Sequence, residues 1–134
     1  MPAATGIHHI ALTVSNQQRS IDWYRDLFGL EKVLEGAHPD GTGSGVVLAD
    51  PEFKLLISVH GHSHNSGEPF SESRTGLDHA AISVPDRAAL VEWQRRLEAK
   101  GVPHTPIADE PYGSLIVFRD PDNIQLEFFA PPSA

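Results

Sequence analysis

Two histidines and one glutamate are the residues of this sequence whose types and positions are best suited to chemistry. His9 and His79 occupy the same place in two similar stretches, residues 6–14 and 76–84, which start 70 positions apart. The alternate positions beside each histidine are small, which predicts a hollow next to the imidazole on a strand face. Glu127 lies between two apolar residues near the end of the chain. Imidazoles and a carboxylate together are ligands for a divalent metal ion.

The environment expected for Glu127 strengthens this interpretation. On a strand its apolar neighbours would face one side while its carboxylate faces the other. A buried charge without a partner costs several kcal/mol, and a bound metal ion would remove that cost. We therefore predict that His9, His79 and Glu127 hold one divalent metal ion as a facial triad. Such a set favours Fe2+, with Mn2+, Zn2+, Ni2+ or Co2+ as alternatives, and leaves positions open for water or substrate.

The offset of 70 positions persists through most of both halves, which indicates an internal duplication. Besides the histidines, it superimposes Trp23 on Trp93, Leu27 on Leu97, and Asp50-Pro51 on Asp120-Pro121. A chain of 134 residues has the size of one ordinary domain. The prediction is a single domain, residues 1–134, made of a first module at about 5–60, a linker at about 61–75 and a second module at about 76–131.

Hydrophobic periodicity predicts the same element order, βαβββ, in each module, so the predicted fold class is α+β with two tandem modules. The helices are expected to begin after Asn16 and Asp86 and to end at Gly29 and Gly101. The predicted strands are residues 7–14, 30–34, 46–48, 53–59, 77–84, 102–107, 114–118 and 124–129.

Composition limits the partners. The net charge is −8 and the basic residues are scattered, which argues against nucleic acid and against an anionic membrane surface. No apolar run is long enough to cross a membrane and no signal peptide is recognisable, so we expect a cytoplasmic protein that binds a small molecule. The absence of cysteine excludes disulfides, thiolate metal sites and a cysteine nucleophile.

Other polar residues are weaker candidates. Arg74 and Tyr112 could bind a substrate anion or phenol, and an ordinary exposed role is the alternative for both. His60, His62 and His64 lie in or next to a polar segment, where they are either solvated or contribute a pocket or acid/base group.

At this point the chain is identified as resembling the vicinal oxygen chelate superfamily, which includes glyoxalase I, extradiol dioxygenases, fosfomycin-modifying enzymes and bleomycin-binding proteins. The residues that carry the resemblance are 9–14, 20–30, 79–81 and 118–127. The resemblance implies a cup-shaped, incomplete barrel of two modules, often within a homodimer. It also implies metal ligands at His9, His79 and Glu127, and a fourth metal position at or near Ile57, which the 70-position offset superimposes on Glu127.

Departures from the family pattern separate its branches. Glyoxalase I uses a metal-bound carboxylate at the fourth position, where Ile57 cannot serve except by lining the substrate site. Fosfomycin-modifying members carry a threonine two residues after the first ligand, where this chain has Ala11. Three protein ligands remain, as in the extradiol dioxygenases.

The resemblance to extradiol dioxygenases extends to an acid/base histidine before the second ligand. His64 is the favoured candidate, and His62 and His60 are alternatives. Tyr112 lies in a plausible module for the partner tyrosine. Arg74 and His60 are predicted to contact the substrate. The leading hypothesis is a metal-dependent enzyme whose substrate chelates the ion through oxygens on adjacent carbons. The alternatives are a glyoxalase I-like lyase or isomerase and a metal-free drug-binding protein like those of bleomycin resistance.

Overall fold

The computed structural model describes residues 1–133, and the chain divides into two compact units, one of residues 1–68 and one that begins at Pro69. Each unit contains one helix and one four-stranded mixed sheet. The predicted α+β class with two βαβββ modules is confirmed.

The first unit has its strands in the spatial order β1-β4-β3-β2. The pairing of β1 with β4 is parallel and the other two pairings are antiparallel. Its elements are β1 (Ile10–Thr13), α1 (Gln17–Phe28), β2 (Glu31–Ala37), β3 (Gly43–Ala49) and β4 (Leu56–His62).

The second unit repeats this arrangement, with the spatial order β5-β8-β7-β6 and a parallel pairing of β5 with β8. Its elements are β5 (Ala80–Ser83), α2 (Arg87–Ala99), β6 (Ala108–Glu110), β7 (Gly113–Arg119) and β8 (Gln125–Ala130).

Local chemistry sets the helix ends as the sequence predicts. The Asn16 side chain accepts a hydrogen bond from Arg19 N at 3.1 Å, and Asp86 accepts one from Ala89 N at 2.8 Å. These contacts satisfy backbone donors that the first helical turn leaves unpaired. The first helix ends at Gly29, whose φ of 68° is the left-handed conformation that glycine adopts without steric cost.

Each helix covers one face of the sheet in its own unit and builds the core there. On this face Val59 of β4 is buried against α1, and Leu126 and Phe128 of β8 are buried against α2. The alternate residues, such as Ala11 and Ala81, project to the opposite face and are exposed. Glu127, the predicted ligand on β8, is paired with Ala81 and occupies that opposite face, so its substitution leaves the core intact.

Several predicted strands differ from the observed ones. The strand predicted at 102–107 is a single bridge between His104 and Phe118, and β6 forms only at Ala108–Glu110. Pro103 and Pro106 account for this, since proline lacks the amide hydrogen that a ladder needs. The first strand of each half begins three residues later than predicted, so His9 and His79 directly precede β1 and β5.

The turn between β3 and β4 is one residue longer than its counterpart in the second unit. In the first unit Asp50 N donates to Leu55 O, whereas in the second Asp120 N donates to Ile124 O. In both turns the aspartate side chain also accepts from the backbone N–H of the residue that closes the turn. The 70-position offset therefore becomes 69 after this turn, with Lys54 as the additional residue.

No helix within residues 1–133 combines the length and the apolar character that crossing a membrane requires.

Candidate metal centre

His79 and Glu127 lie together on the face of the second sheet that α2 leaves uncovered. Their Nε2 and Oε2 atoms are 3.7 Å apart. The backbone explains this proximity, because β5 and β8 run parallel and Ala81 is paired with Glu127. The Glu127 side chain is only 14% exposed, even though it lies on the opposite face of the strand from Leu126 and Phe128, which point into the core. A shielded carboxylate thus faces one imidazole nitrogen.

Asp78 is hydrogen-bonded to the other nitrogen of the His79 imidazole. Its Oδ1 atom lies 2.8 Å from Nδ1 of His79. A carboxylate accepts the proton of Nδ1, which leaves the lone pair of Nε2 directed towards Glu127. Histidines that bind metal ions are oriented in this way by a hydrogen bond from the second ring nitrogen. The donor set of His79 and Glu127 therefore fits a divalent metal ion.

A further set of hydrogen bonds holds Asp78 in place. Gln125 Nε2 donates to the backbone oxygen of Asp78 at 3.1 Å and to its Oδ1 at 3.2 Å. Arg119 in turn donates to Gln125 Oε1 at 3.1 Å and makes two bonds to the Glu72 carboxylate, at 2.8 and 2.9 Å. The Arg119 guanidinium lowers the pKa of Glu72 to about 2. These hydrogen bonds connect the ion pair of Glu72 and Arg119 to the imidazole of His79, which would bind the metal.

His9 belongs to the first unit and repeats part of this arrangement. Its Nδ1 atom lies 2.9 Å from Nδ1 of His8, the residue at the position equivalent to Asp78. A neutral His8 can accept the Nδ1 proton of His9, and Nε2 of His9 then carries the lone pair. The ring of His9 is exposed.

The predicted equivalence of Ile57 and Glu127 is wrong, because the two sheets differ in register. Ala11 is paired with Ser58, and its counterpart Ala81 is paired with Glu127. Ser58 is therefore the residue at the position of Glu127, as the longer turn before β4 requires. Ile57 is 2% exposed and lies on the helix side of the sheet, so its side chain belongs to the core and not to a substrate site.

His60 and His62 lie on β4, while His64 lies in the turn that follows. His60 is half-buried and its Nε2 is 2.7 Å from Ser58 Oγ. Burial lowers the pKa of His60, and the neighbouring His38, His62 and His9 lower it further. His64 is exposed in the turn.

Arg74 and Tyr112 are exposed residues of the second unit. The Tyr112 side chain is 61% exposed, and its ring is parallel to that of Phe129 with centroids 6.2 Å apart. Arg74 lies in a turn where its backbone N–H donates to Ser71 O. Their roles in substrate binding or acid/base chemistry stay predictions.

Sequence reasoning missed the residues that orient the candidate ligands. Asp78 was visible as the acidic neighbour of a candidate ligand, and Gln125 as a polar residue on the strand face of Glu127. The connection from Glu72 to Arg119 had no local signal, because the two residues are far apart in the chain. His38 was also missed. The feature that indicated it is a histidine directly after β2, in a module that has two further histidines on β4.

The geometry of two repeated modules, each with a histidine before its first strand, agrees with comparisons to known proteins. The family model of the Glyoxalase/Bleomycin resistance protein/Dioxygenase superfamily matches residues 6–128. The chain belongs to this superfamily. The superfamily predicted from the sequence is thereby confirmed.

Members of this superfamily resemble the chain in structure and in sequence. A glyoxylase/bleomycin resistance protein/dioxygenase domain from Frankia sp. EAN1pec superimposes with a TM-score of 0.87 at 30% identity, covering 98% of this chain and 96% of that one. Lactoylglutathione lyase GLX1 of Arabidopsis thaliana is 30% identical over 123 residues, which are 89% of this chain and 42% of that protein.

A relative named for a different activity is also distant in sequence. MhqA of Bacillus subtilis (strain 168), which bears the name of a ring-cleaving dioxygenase, is 24% identical over 126 residues, or 90% of this chain and 39% of that protein. The chain thus spans about two fifths of the length of these curated relatives.

Proposed function

We propose that this chain is a divalent-metal-dependent enzyme acting on a small molecule that carries oxygens on adjacent carbons. The observation that supports this most directly is the pair His79 and Glu127, with Asp78 fixing the imidazole so that Nε2 faces the carboxylate. His9, which the family resemblance assigns to the same ligand set, completes the proposed triad. The metal would act as a Lewis acid for the bound oxygens, and Fe2+ could also support chemistry with O2.

The protein residues have separate tasks in this proposal. Asp78 retains the Nδ1 proton of His79 and so keeps the ring in one tautomer and one orientation. Gln125 and Arg119 restrict the movement of Asp78. The small side chains at Ala81 and Ser83, on the same strand face, leave room for a substrate beside the ligands.

Ring-cleaving dioxygenase chemistry is the favoured activity. The proposed set has three protein ligands, and Ser58 rather than a carboxylate occupies the position equivalent to Glu127. Open coordination positions suit a substrate that binds through two oxygens. The name borne by MhqA supports the same activity. In this proposal His64 or a neighbouring histidine moves the proton, Tyr112 and Arg74 contact the substrate, and the protein acts as a homodimer.

A glyoxalase I-like lyase is the second candidate, and the identity of 30% to the lactoylglutathione lyase supports it. The test is to purify the chain without chelator or polyhistidine tag and to reconstitute it with Fe2+, Mn2+, Zn2+ or Ni2+. Each form is assayed with catechols for ring cleavage and with hemithioacetals for isomerisation. Oxygen consumption with a catechol and Fe2+ is expected, whereas isomerisation without oxygen uptake would favour the lyase.

Variants locate the metal. His9→Ala, His79→Ala and Glu127→Ala are each expected to abolish the activity and to weaken metal binding while retaining the fold, since the core lies on the other sheet faces. Affinity should also fall as the pH decreases through the histidine range, because the neutral imidazole is the ligand. Full activity in the metal-free protein, or in Glu127→Ala, would refute the proposal.

A further inference from the structure

Three histidines of the first unit converge at one end of its sheet. His38 directly follows β2, and His60 and His62 lie on β4. One ring nitrogen from each lies within 4.8 Å of the other two. The closest approach is 2.9 Å, between Nε2 of His38 and Nδ1 of His60. The ring of His38 is parallel to that of His60 within 10°, and its centroid is 4.4 Å from that of His62.

The strand register and two glycines produce this convergence. Gly45 is paired with His60, and Gly43 is paired with His62. The hydrogen bond from His38 N to Gly43 O, 2.8 Å long, brings the end of β2 to the same place. A Cβ atom at Gly45 would lie only 2.5 Å from Cε1 of His60, so the imidazole occupies the space that a side chain would fill.

The hydrogen bonds leave ring nitrogens of the type that bind metals. Ser58 Oγ lies 2.7 Å from Nε2 of His60 and can accept its proton. In that tautomer Nδ1 of His60 carries a lone pair directed at His38. The Nδ1 atom of His38 is buried and has no hydrogen-bond partner within residues 1–133. This atom can hold the ring proton that Nε2 of His38 gives up when it binds an ion.

We propose that His38, His60 and His62 bind a divalent transition-metal ion, with Zn2+, Co2+, Ni2+ or Cu2+ as the class of ligand. Bonds of about 2.0–2.1 Å place neighbouring ligand nitrogens about 3.0–3.4 Å apart. The pair at 2.9 Å already has nearly this separation, and the His62 ring, whose ligand nitrogen lies within 4.8 Å of the other two, turns to bring that atom to the ion. Imidazole ligands select these ions over Mg2+ and Ca2+, which require oxygen ligands.

The site has room for a fourth, exchangeable ligand. A concavity of ≈ 400 Å³ adjoins the cluster and is lined by His38 and His60 together with apolar residues that include Leu34 and Val47. Three histidines with an open position resemble the ligand number of catalytic zinc sites, not that of closed structural ones. The open position accommodates water or a small anion.

The test uses the full chain without a polyhistidine tag and with His79→Ala and Glu127→Ala already introduced. This background disables the ligand set of the proposed function, so the cluster is measured by itself. The metal-free protein is titrated with Co2+ and followed by its visible absorption, and then with Zn2+ in competition. One equivalent of Co2+ is expected. Absence of any saturable binding would overturn the site, whatever the outcome for the proposed enzyme activity.

Ligand variants in this background identify the residues. His38→Gln and His62→Gln are each expected to reduce Co2+ affinity by more than about 10-fold, the smallest loss that outer-shell changes produce. His64→Gln is the control, because His64 is exposed in the following turn and lies outside the cluster. Equal affinity for His62→Gln and His64→Gln would overturn the proposal.

A glycine pair supplies a test that removes no histidine. Gly45→Ala is expected to displace the His60 ring and to weaken Co2+ binding about 10-fold or more. Gly36→Ala is the matched control, because Gly36 is paired directly with Gly45 and a Cβ there meets no atom within 4 Å. Circular dichroism confirms the fold of both variants. Unchanged affinity in a folded Gly45→Ala protein would contradict the proposed geometry.

Discussion

The carboxylate of Asp78 lies 2.8 Å from Nδ1 of His79, and this contact determines which imidazole nitrogen is available to a metal. Nε2 is the available atom, and it faces Glu127 at 3.7 Å. A change at Asp78 would therefore act on a metal ion at the proposed triad only through His79.

Asp78→Asn should weaken metal binding at the proposed triad by about 10- to 100-fold without loss of the fold. An asparagine oxygen still accepts the Nδ1 proton, but it no longer raises the basicity of the ring as a carboxylate does. Calorimetric titration of the metal-free protein, in a His62→Gln background, measures the effect. Glu92→Gln removes the same charge from an exposed helix position and should leave the affinity unchanged. A similar affinity for both variants would show that Asp78 has no orienting role.

The difference in register between the two halves gives a second prediction. Ile57→Glu should destabilise the fold by several kcal/mol, because Ile57 is 2% exposed in the core beneath α1. Ser58 is 4% exposed on the opposite face, where Nε2 of His60 lies 2.7 Å from its Oγ and can donate to a carboxylate, so Ser58→Glu should cost less than Ile57→Glu. Urea unfolding of both variants tests the observed register. If Ser58→Glu were the more damaging change, the pairing of Ala11 with Ser58 would be refuted.

The ion pair of Glu72 and Arg119 predicts a pH dependence of stability. The guanidinium lowers the pKa of Glu72 from 4.5 to about 2 in the folded chain. Since the folded-state pKa is below the unfolded value, ionised Glu72 stabilises the fold above about pH 4.5, and this contribution is lost as the pH falls towards 2. Chemical unfolding of wild type and Glu72→Gln should differ at pH 6 and converge near pH 2. A difference that did not depend on pH would exclude this ion pair as its cause.

The longer turn contains a strained residue. Phe53 has a φ of 55° and is 59% exposed, and the residue at the equivalent position of the second turn is Asn123, with a φ of 67°. Asparagine adopts this left-handed conformation at less cost than phenylalanine. Phe53→Asn should therefore raise the free energy of unfolding by about 1 kcal/mol. Glu52→Asn, in the same turn but without a positive φ, serves as the control. A decrease in stability for Phe53→Asn would mean that the exposed ring contributes more than the strain removes.

The sequence was sufficient to predict the element order, both helix N-terminal caps and the approximate positions of most strands. The repeat with an offset of 70 positions supplied this information, because homologous halves fold alike and Asn16 and Asp86 have strong local preferences. The position equivalent to Glu127 could not be obtained in the same way. A single additional residue in a turn shifts the pairing, and only the backbone hydrogen bonds at Asp50 reveal it.

The candidate sites were predictable to different degrees. The proximity of His79 to Glu127 follows from two strands running side by side, for which the duplication provided evidence. The association of His38 with His60 depends on the pairing of β2 with β3 and on the space beside Gly45, which the His60 ring occupies. A glycine at that position gives no sequence pattern that predicts the cluster. Long-range hydrogen bonds such as Arg119 to Glu72 depend on where a segment without regular structure returns to the sheet.

The parallel pairing of the first and last strands in each half has a consequence for how the chain folds. In the part of the chain that the structure describes, β1 is paired with β4 alone and β5 with β8 alone, so neither sheet is complete until its final strand is present. Pairing Ile10 with Ile57 closes a long loop. The entropic cost of closing this loop arises before most of the stabilising contacts have formed. Within residues 1–133, the sheet of the first half nevertheless contains no strand of the second half. During synthesis it can therefore acquire its own sheet while the second half is still being translated.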